Sequence, residues 1–151
     1  MGRRFSNNKH DSKKYYEWLD KASEDMICAQ TLIGDERCYD ATAFHCQQAI
    51  EKALKAYLLL KTDKLYDGHN LSWLCKKAIT LDNFFYEWLD ECVVLNRCYI
   101  ETRYPTDIPR EFGHKQLKIA YKMAQDMFVF ICEEMDSELD AKNWLGYEVD
   151  V

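Results

Sequence analysis

Apolar side chains recur along this chain at spacings of three and four, and that period calls for helices. Tyr15, Leu19, Ala22, Met26, Ala29 and Ile33 form the first such stripe, the mark of a helix with one buried face. Asp11 or Ser12 can cap its start, and Gly34-Asp35 is a natural stop. A second helix is predicted from about Tyr39 to Lys61, where Cys46, Ala49, Ile50, Ala53, Leu54, Ala56, Tyr57 and Leu60 cover more than half of the wheel. A segment this apolar belongs at the centre of a bundle, and its alanines let neighbours approach closely. Its polar residues fall in one row: His45, Gln48, Glu51, Lys52 and Lys55. Asp67-Gly68-His69-Asn70 reads as a turn, after which Leu71, Leu74, Cys75 and Ala78 give a short third helix. Asp82 or Asn83 can cap a fourth, with Phe85, Leu89, Cys92, Leu95 and Tyr99 inward. A fifth presents Leu117, Ala120, Tyr121, Ala124, Phe128, Ile131 and Met135. Strand-like alternation of useful length is missing, and so is any internal repeat.

These elements predict an all-α, up-and-down bundle of four to five helices. Composition agrees, since Gly (5) and Pro (2) are scarce in 151 residues while good helix formers abound. The expected organisation is a basic flexible arm over 1–13, a helical bundle over 14–135 and an acidic C-terminal tail over 136–151. The formal charge of −6 argues against broad coating of nucleic acid, which needs accumulated Lys and Arg, while leaving room for a local basic pocket. Seven cysteines without a CxxC pair point to a reducing, cytoplasmic setting and to no metal site. No apolar run reaches the roughly 20 residues of a membrane span, so no membrane association is expected.

Candidate chemistry is concentrated in three places. His45, Gln48, Lys52 and Lys55 lie within about 80° of one another on the second helix, over roughly 15 Å. The plain reading is a solvated face in which Glu51 and Lys55 form an i,i+4 pair. His45 and Gln48, flanked by large apolar residues, are expected to be half-buried, as suits the floor of a site or a dimer seam. Arg103-Tyr104-Pro105 comes next. Proline biases Tyr104 out of the helical region, so the fourth helix should end near Thr102 or Arg103. Arg103 can cover the last carbonyls or grip a phosphate, and Tyr104 offers a stacking face. His69 or Asn70 caps the third helix, whose start could also receive an anion. In the loop, Arg110 and His114 suggest an Arg/His pair acting on a phosphodiester, although His114 also suits the cap of the fifth helix. Phosphate-cradling glycine loops and GxSxG, HExxH or DxDxDG motifs are absent. Asp25 and Glu24 have no acidic partner at matching spacing.

Three segments together resemble the HEPN domain (higher eukaryotes and prokaryotes nucleotide-binding): Phe44-His45-Cys46-Gln47-Gln48-Ala49-Ile50-Glu51-Lys52-Ala53-Leu54-Lys55-Ala56, Gly68-His69-Asn70-Leu71-Ser72-Trp73-Leu74, and Tyr99-Ile100-Glu101-Thr102-Arg103-Tyr104-Pro105. The match spans roughly 14–135, and the last segment is similar to an Arg-Tyr-Pro branch. The resemblance implies a helical bundle that commonly dimerises. It also implies pairing with a small nucleotidyltransferase in toxin–antitoxin or stress systems, and nucleotide binding. On that basis the expected function is a non-catalytic, homodimeric module that binds a nucleotide such as ATP or GTP without a further cofactor. His45, Gln48, Lys52, Lys55, His69, Arg103 and Tyr104 are its expected site. The alternative is a metal-independent, toxin-like ribonuclease using Arg110 and His114, with RNA as substrate. Here only three residues separate that pair, whereas the ribonuclease branch has four to six.

Overall fold

The computed structural model describes the backbone of residues 10–103, 105 and 113–150, with the side chains of those residues apart from 100–103 and 141–150. Five α-helices and two short 3-10 turns account for the regular structure among them. The helices are α1 (Tyr15–Leu32), α2 (Tyr39–Thr62), α3 (Leu71–Ile79), α4 (Leu89–Arg103) and α5 (His114–Asp150), and the 3-10 turns are Glu36–Cys38 and Asn83–Trp88. This is the all-α bundle expected from the pattern. The acidic stretch that begins at Asp136 is the last part of α5.

α2 is the axis of the molecule, packing against each of the other four α-helices. Ala43, Ala49, Ala53 and Ala56 are fully buried on it, together with Ile50, Leu54 and Leu58. The alanines admit neighbouring backbones at short range. Each of the larger side chains contributes roughly 1.5–3 kcal/mol by leaving water. Pairings along the chain give the directions. Trp18 meets Lys55 while Asp25 meets His45 and Lys52, so α1 runs antiparallel to α2. Tyr39 meets His114 and Lys61 meets Glu138, so α5 runs parallel to it. Leu71 N–H donates to Asn96 of α4 at 2.6 Å, which ties the start of α3 to the later part of α4.

Three boundaries differ from the sequence expectation. α1 begins at Tyr15, with Lys14 at the cap position and no side-chain cap. Ser12 instead accepts the Lys14 N–H, donates its hydroxyl to Glu17, and takes the Trp18 indole N–H on its carbonyl. Asp82 does cap, but it caps the 3-10 turn rather than α4, accepting the Phe84 N–H at 2.9 Å. That tighter geometry buries Phe85 between Tyr57 and Phe130 and leaves Phe84 63% exposed. His114 is the first residue of α5 and not its cap. Gly113 accepts the first helical hydrogen bond from Leu117, and the Gln116 side chain reaches back to the Gly113 N–H, half of a capping box.

Candidate functional site

The polar row of α2 is covered, and it is covered by charge. Glu51 is 3% and Lys55 5% exposed, which corrects the expectation of a solvated i,i+4 pair. A helical wheel gives the face on which a residue lies, whereas here α1 and the 67–69 turn lie over that face. Lys55 Nζ donates to Glu51 at 3.0 Å and sits 5.5 Å from the Trp18 ring centre, so its burial is compensated by a carboxylate and an aromatic wall. His69 places Nδ1 3.0 Å from the same carboxylate. Gln47 and Gln48 each donate to Glu51 Oε1 at 3.2 Å, and Gln47 also holds the His69 carbonyl at 3.0 Å. Burial, the largest single influence, pushes the Glu51 carboxyl up. The His69 hydrogen bond and the Lys55 and His69 charges outweigh it and hold Glu51 below its usual range.

A second carboxylate is likewise held by a lysine and a histidine. Asp25, buried on α1 in register with Ala22 and Ala29, accepts from Lys52 Nζ at 2.7 Å and lies 2.8 Å from His45 Nδ1. Sequence reasoning looks for an acidic partner to Asp25 and so misses its counter-cations. The signal was present, because a carboxylate on an inward-facing stripe demands a cation.

Between these two centres opens a cleft of about 910 Å³, lined by His10, Asp11, Trp18, Gln48, Glu51, Lys52, Lys55, Asp67, Gly68 and His69. Gly68 has φ of +119°, a conformation that a side chain would strain, and this sharp turn sets His69 at the rim. The His69 ring stacks on Tyr99 at 4.9 Å and Tyr99 on Phe44 at 6.0 Å. This three-ring stack joins the turn, α4 and α2. The apolar stripe marks Tyr99 only as an inward-facing residue, and its place in the stack is not visible there. Asn70 caps α3 by accepting the Trp73 N–H at 2.9 Å.

Of the expected site residues, Gln48, Lys52, Lys55 and His69 share the cleft, and His45 is joined to Lys52 through Asp25. Arg103 ends α4 one turn after Tyr99. Its side chain, Tyr104 and Arg110 lie outside the described residues. His114 is apart from the cleft lining, with Nδ1 2.7 Å from the Tyr39 hydroxyl. Among the described residues no group of three or more His, Cys, Asp or Glu side chains is placed to hold a metal ion. No helix among them is long and apolar enough to cross a membrane.

An interior helix whose polar row is locked by paired cations and carboxylates, with an aromatic stack at the edge, defines an all-α module with a polar cleft beside its central helix. The family model described as HEPN domain matches residues 15–135, and the chain belongs to that family. Among solved structures it is similar to TT1696 from Thermus thermophilus. The two are 26% identical with a TM-score of 0.69, and the alignment covers 82% of this chain and 99% of that one. It is also similar in fold to ST0689, an archaeal HEPN homologue. There the identity is 21% and the TM-score 0.65, over 82% of this chain and 99% of that one. No curated protein matches the chain.

Proposed function

We propose that this HEPN module is a non-catalytic binder that takes a nucleotide, or a phosphate-bearing partner, in the cleft between α1, α2 and the 67–69 turn. The observation that carries the reading is the convergence of Lys52, Lys55, Gln48 and His69 on one open cleft beside the Trp18 ring. Lys52, with its side chain 25% exposed, is the ammonium best placed for a phosphate, and Lys55, at 6%, forms the floor. Arg103 supplies a planar guanidinium for phosphate, and Tyr104 a ring for stacking, on this reading. The module works as a homodimer and pairs with a small nucleotidyltransferase in a toxin–antitoxin or stress system.

Melting temperature with ATP, GTP and related nucleotides tests it. At 100 times the dissociation constant a ligand adds about 2.7 kcal/mol, or roughly 5–11 °C for a domain of this size. Lys52→Ala and Arg103→Ala should each reduce that rise. An unchanged melting point with every nucleotide removes the proposal. Co-purification with a nucleotidyltransferase tests the pairing. RNA cleavage by the intact chain that is lost in His114→Ala would favour the ribonuclease alternative through Arg110 and His114.

A further inference from the structure

A second cleft, of about 610 Å³, opens where α2 and α5 pack together beside residues 81–84, at the start of the second 3-10 turn. It shares no lining residue with the first cleft. Among the described residues its charged groups are three carboxylates, Asp82, Glu134 and Glu138, and one ammonium, Lys61. Lys61 is held by Glu138 at 2.8 Å. Asp82 accepts the Phe84 N–H at 2.9 Å as the cap of the 3-10 turn. Its carboxyl also meets that of Glu134, and this hydrogen bond, followed by burial, raises Glu134 to about 7. A cation placed between two such acids relieves their repulsion.

Acidity alone does not define a site, and the floor of the cleft supplies an independent feature. Tyr57 is 2% exposed, with its ring 4.7 Å from that of Phe85, and it lines the opening. Burial, and then the charges of Asp82, Glu134 and Glu138, push its hydroxyl pKa up, so the phenol oxygen faces those carboxylates. None of them hydrogen-bonds to it, and neither does any other described residue. A buried hydroxyl without a partner suits a ligand that can donate to it. At the rim, Phe84 offers a ring that is 63% exposed. A guanidinium meets each demand: its planar fork donates to two acids at once, its face stacks on an aromatic ring, and its charge offsets the acidic excess. An ammonium brings the charge without the fork or the flat face. We infer that this cleft is a docking site for a basic segment of a partner protein, which seats one arginine between Asp82 and Glu134, with Tyr57 beneath it and Phe84 at its side. Charge complementarity selects that occupant. Failure of nucleotides to bind in the first cleft leaves this site standing, because the two share no side chain.

Fluorescence anisotropy of the full chain tests it, with a labelled, end-blocked peptide in which arginines alternate with glycines, beside the same peptide carrying lysine or citrulline. The arginine peptide should bind most tightly, the lysine peptide more weakly and the neutral citrulline peptide not at all, with affinity falling as salt is raised. Asp82→Asn with Glu134→Gln should weaken arginine-peptide binding by about tenfold or more, and Tyr57→Phe by about threefold or more. Asparagine also caps, and circular dichroism melts check that each variant is folded. Asp20→Asn with Glu24→Gln removes two charges from exposed positions on α1 and should change the affinity by less than about twofold. On the unaltered chain, amide chemical shifts at residues 81–84 and at Ser137 should move with the arginine peptide. An equal loss in both charge-removing pairs, equal binding of the citrulline peptide, no binding of the arginine peptide, or shifts confined to other faces overturns the inference. Self-association that is lost in Asp82→Asn with Glu134→Gln, measured by sedimentation without peptide, would make the occupant a second copy and overturn the partner assignment.

Discussion

Removing the Glu51 carboxylate is the most informative perturbation of this fold. Glu51 is 3% exposed, and the Lys55 side chain that depends on it is 6% exposed. In Glu51→Ala the ammonium stays buried without its carboxylate, and Gln47, Gln48 and His69 lose an acceptor. Breaking a buried pair on one side costs about 3–5 kcal/mol, which for a domain of this size lowers the melting temperature by roughly 6–20 °C. Glu51→Gln keeps the shape and one acceptor, so the expected loss is smaller, about 1–3 kcal/mol. Urea unfolding of Glu51→Gln, Lys55→Met and the double variant gives the coupling directly, with about 1–3 kcal/mol expected for groups in one network. The pH dependence follows from the same bonds. Because the folded carboxyl lies below its ordinary value of 4.5, its contribution is fully present above about pH 4.5 and is lost as pH falls through the folded value. Glu51→Gln should flatten that acid limb. A loss under about 1 kcal/mol in Glu51→Ala, or strict additivity in the cycle, would show that the pair is solvated and refute the reasoning.

Other outcomes follow from single contacts. The Glu134 carboxyl is raised to about 7, first by its hydrogen bond to Asp82 and then by burial. Its stabilising effect is therefore present below the ordinary carboxylate range and lost as pH rises through about 7, and Glu134→Gln should remove that slope from urea midpoints measured between about pH 5 and 8. Phe85→Ala empties a fully buried site against Tyr57 and Phe130 and should cost about 3–5 kcal/mol, whereas Phe84→Ala, at an exposed position, should stay within about 0.5 kcal/mol in the same assay. Asn70→Ala removes the cap of α3 and should lower thermal stability by about 0.5–2 kcal/mol.

Helix number, helix order and the apolar faces were legible in the sequence because apolar burial on α2, α3 and α5 recurs at helical spacing. Cys46, Leu71, Leu74, Cys75, Ala78, Leu117 and Ile131 are all fully buried. The site was legible only in part. His45, Gln48, Lys52 and Lys55 share a visible row, but a row does not reveal its cover, so Glu51 and Lys55 look solvated on a helical wheel. Gln47, fully buried, looks like an interruption of the apolar face. It is the residue that holds the His69 carbonyl and so positions the turn. The 3-10 turn at Asn83–Trp88 was hidden because a capping Asp followed by aromatics suits either helix type.

The two carboxylates also bear on whether this bundle is only a docking surface. Buried ion pairs seldom stabilise a fold relative to apolar side chains of similar size, and α2 has no shortage of alanine and leucine to serve as packing. Asp25 and Glu51 are each held by a lysine and a histidine, one pair under the row and one at the floor of an open cleft. Their cost is met by partners that are themselves useful to an anion, since the Lys52 and His69 side chains are 25% and 56% exposed while their carboxylates are 10% and 4% exposed. Such a layout fixes a lysine and an imidazole at a solvent boundary while the carboxylates stay inside. A scaffold that bound only through its outer helix faces would gain nothing from it. A double variant that replaces Asp25 and Glu51 by their amides, Asp25→Asn with Glu51→Gln, separates the two cases. If the cleft binds a nucleotide, the amide variant raises its fixed charge by two, and nucleotide affinity should shift from that of the unaltered chain. If the bundle serves only as a dock, co-purification with a nucleotidyltransferase should persist and nucleotide affinity should be absent in both forms.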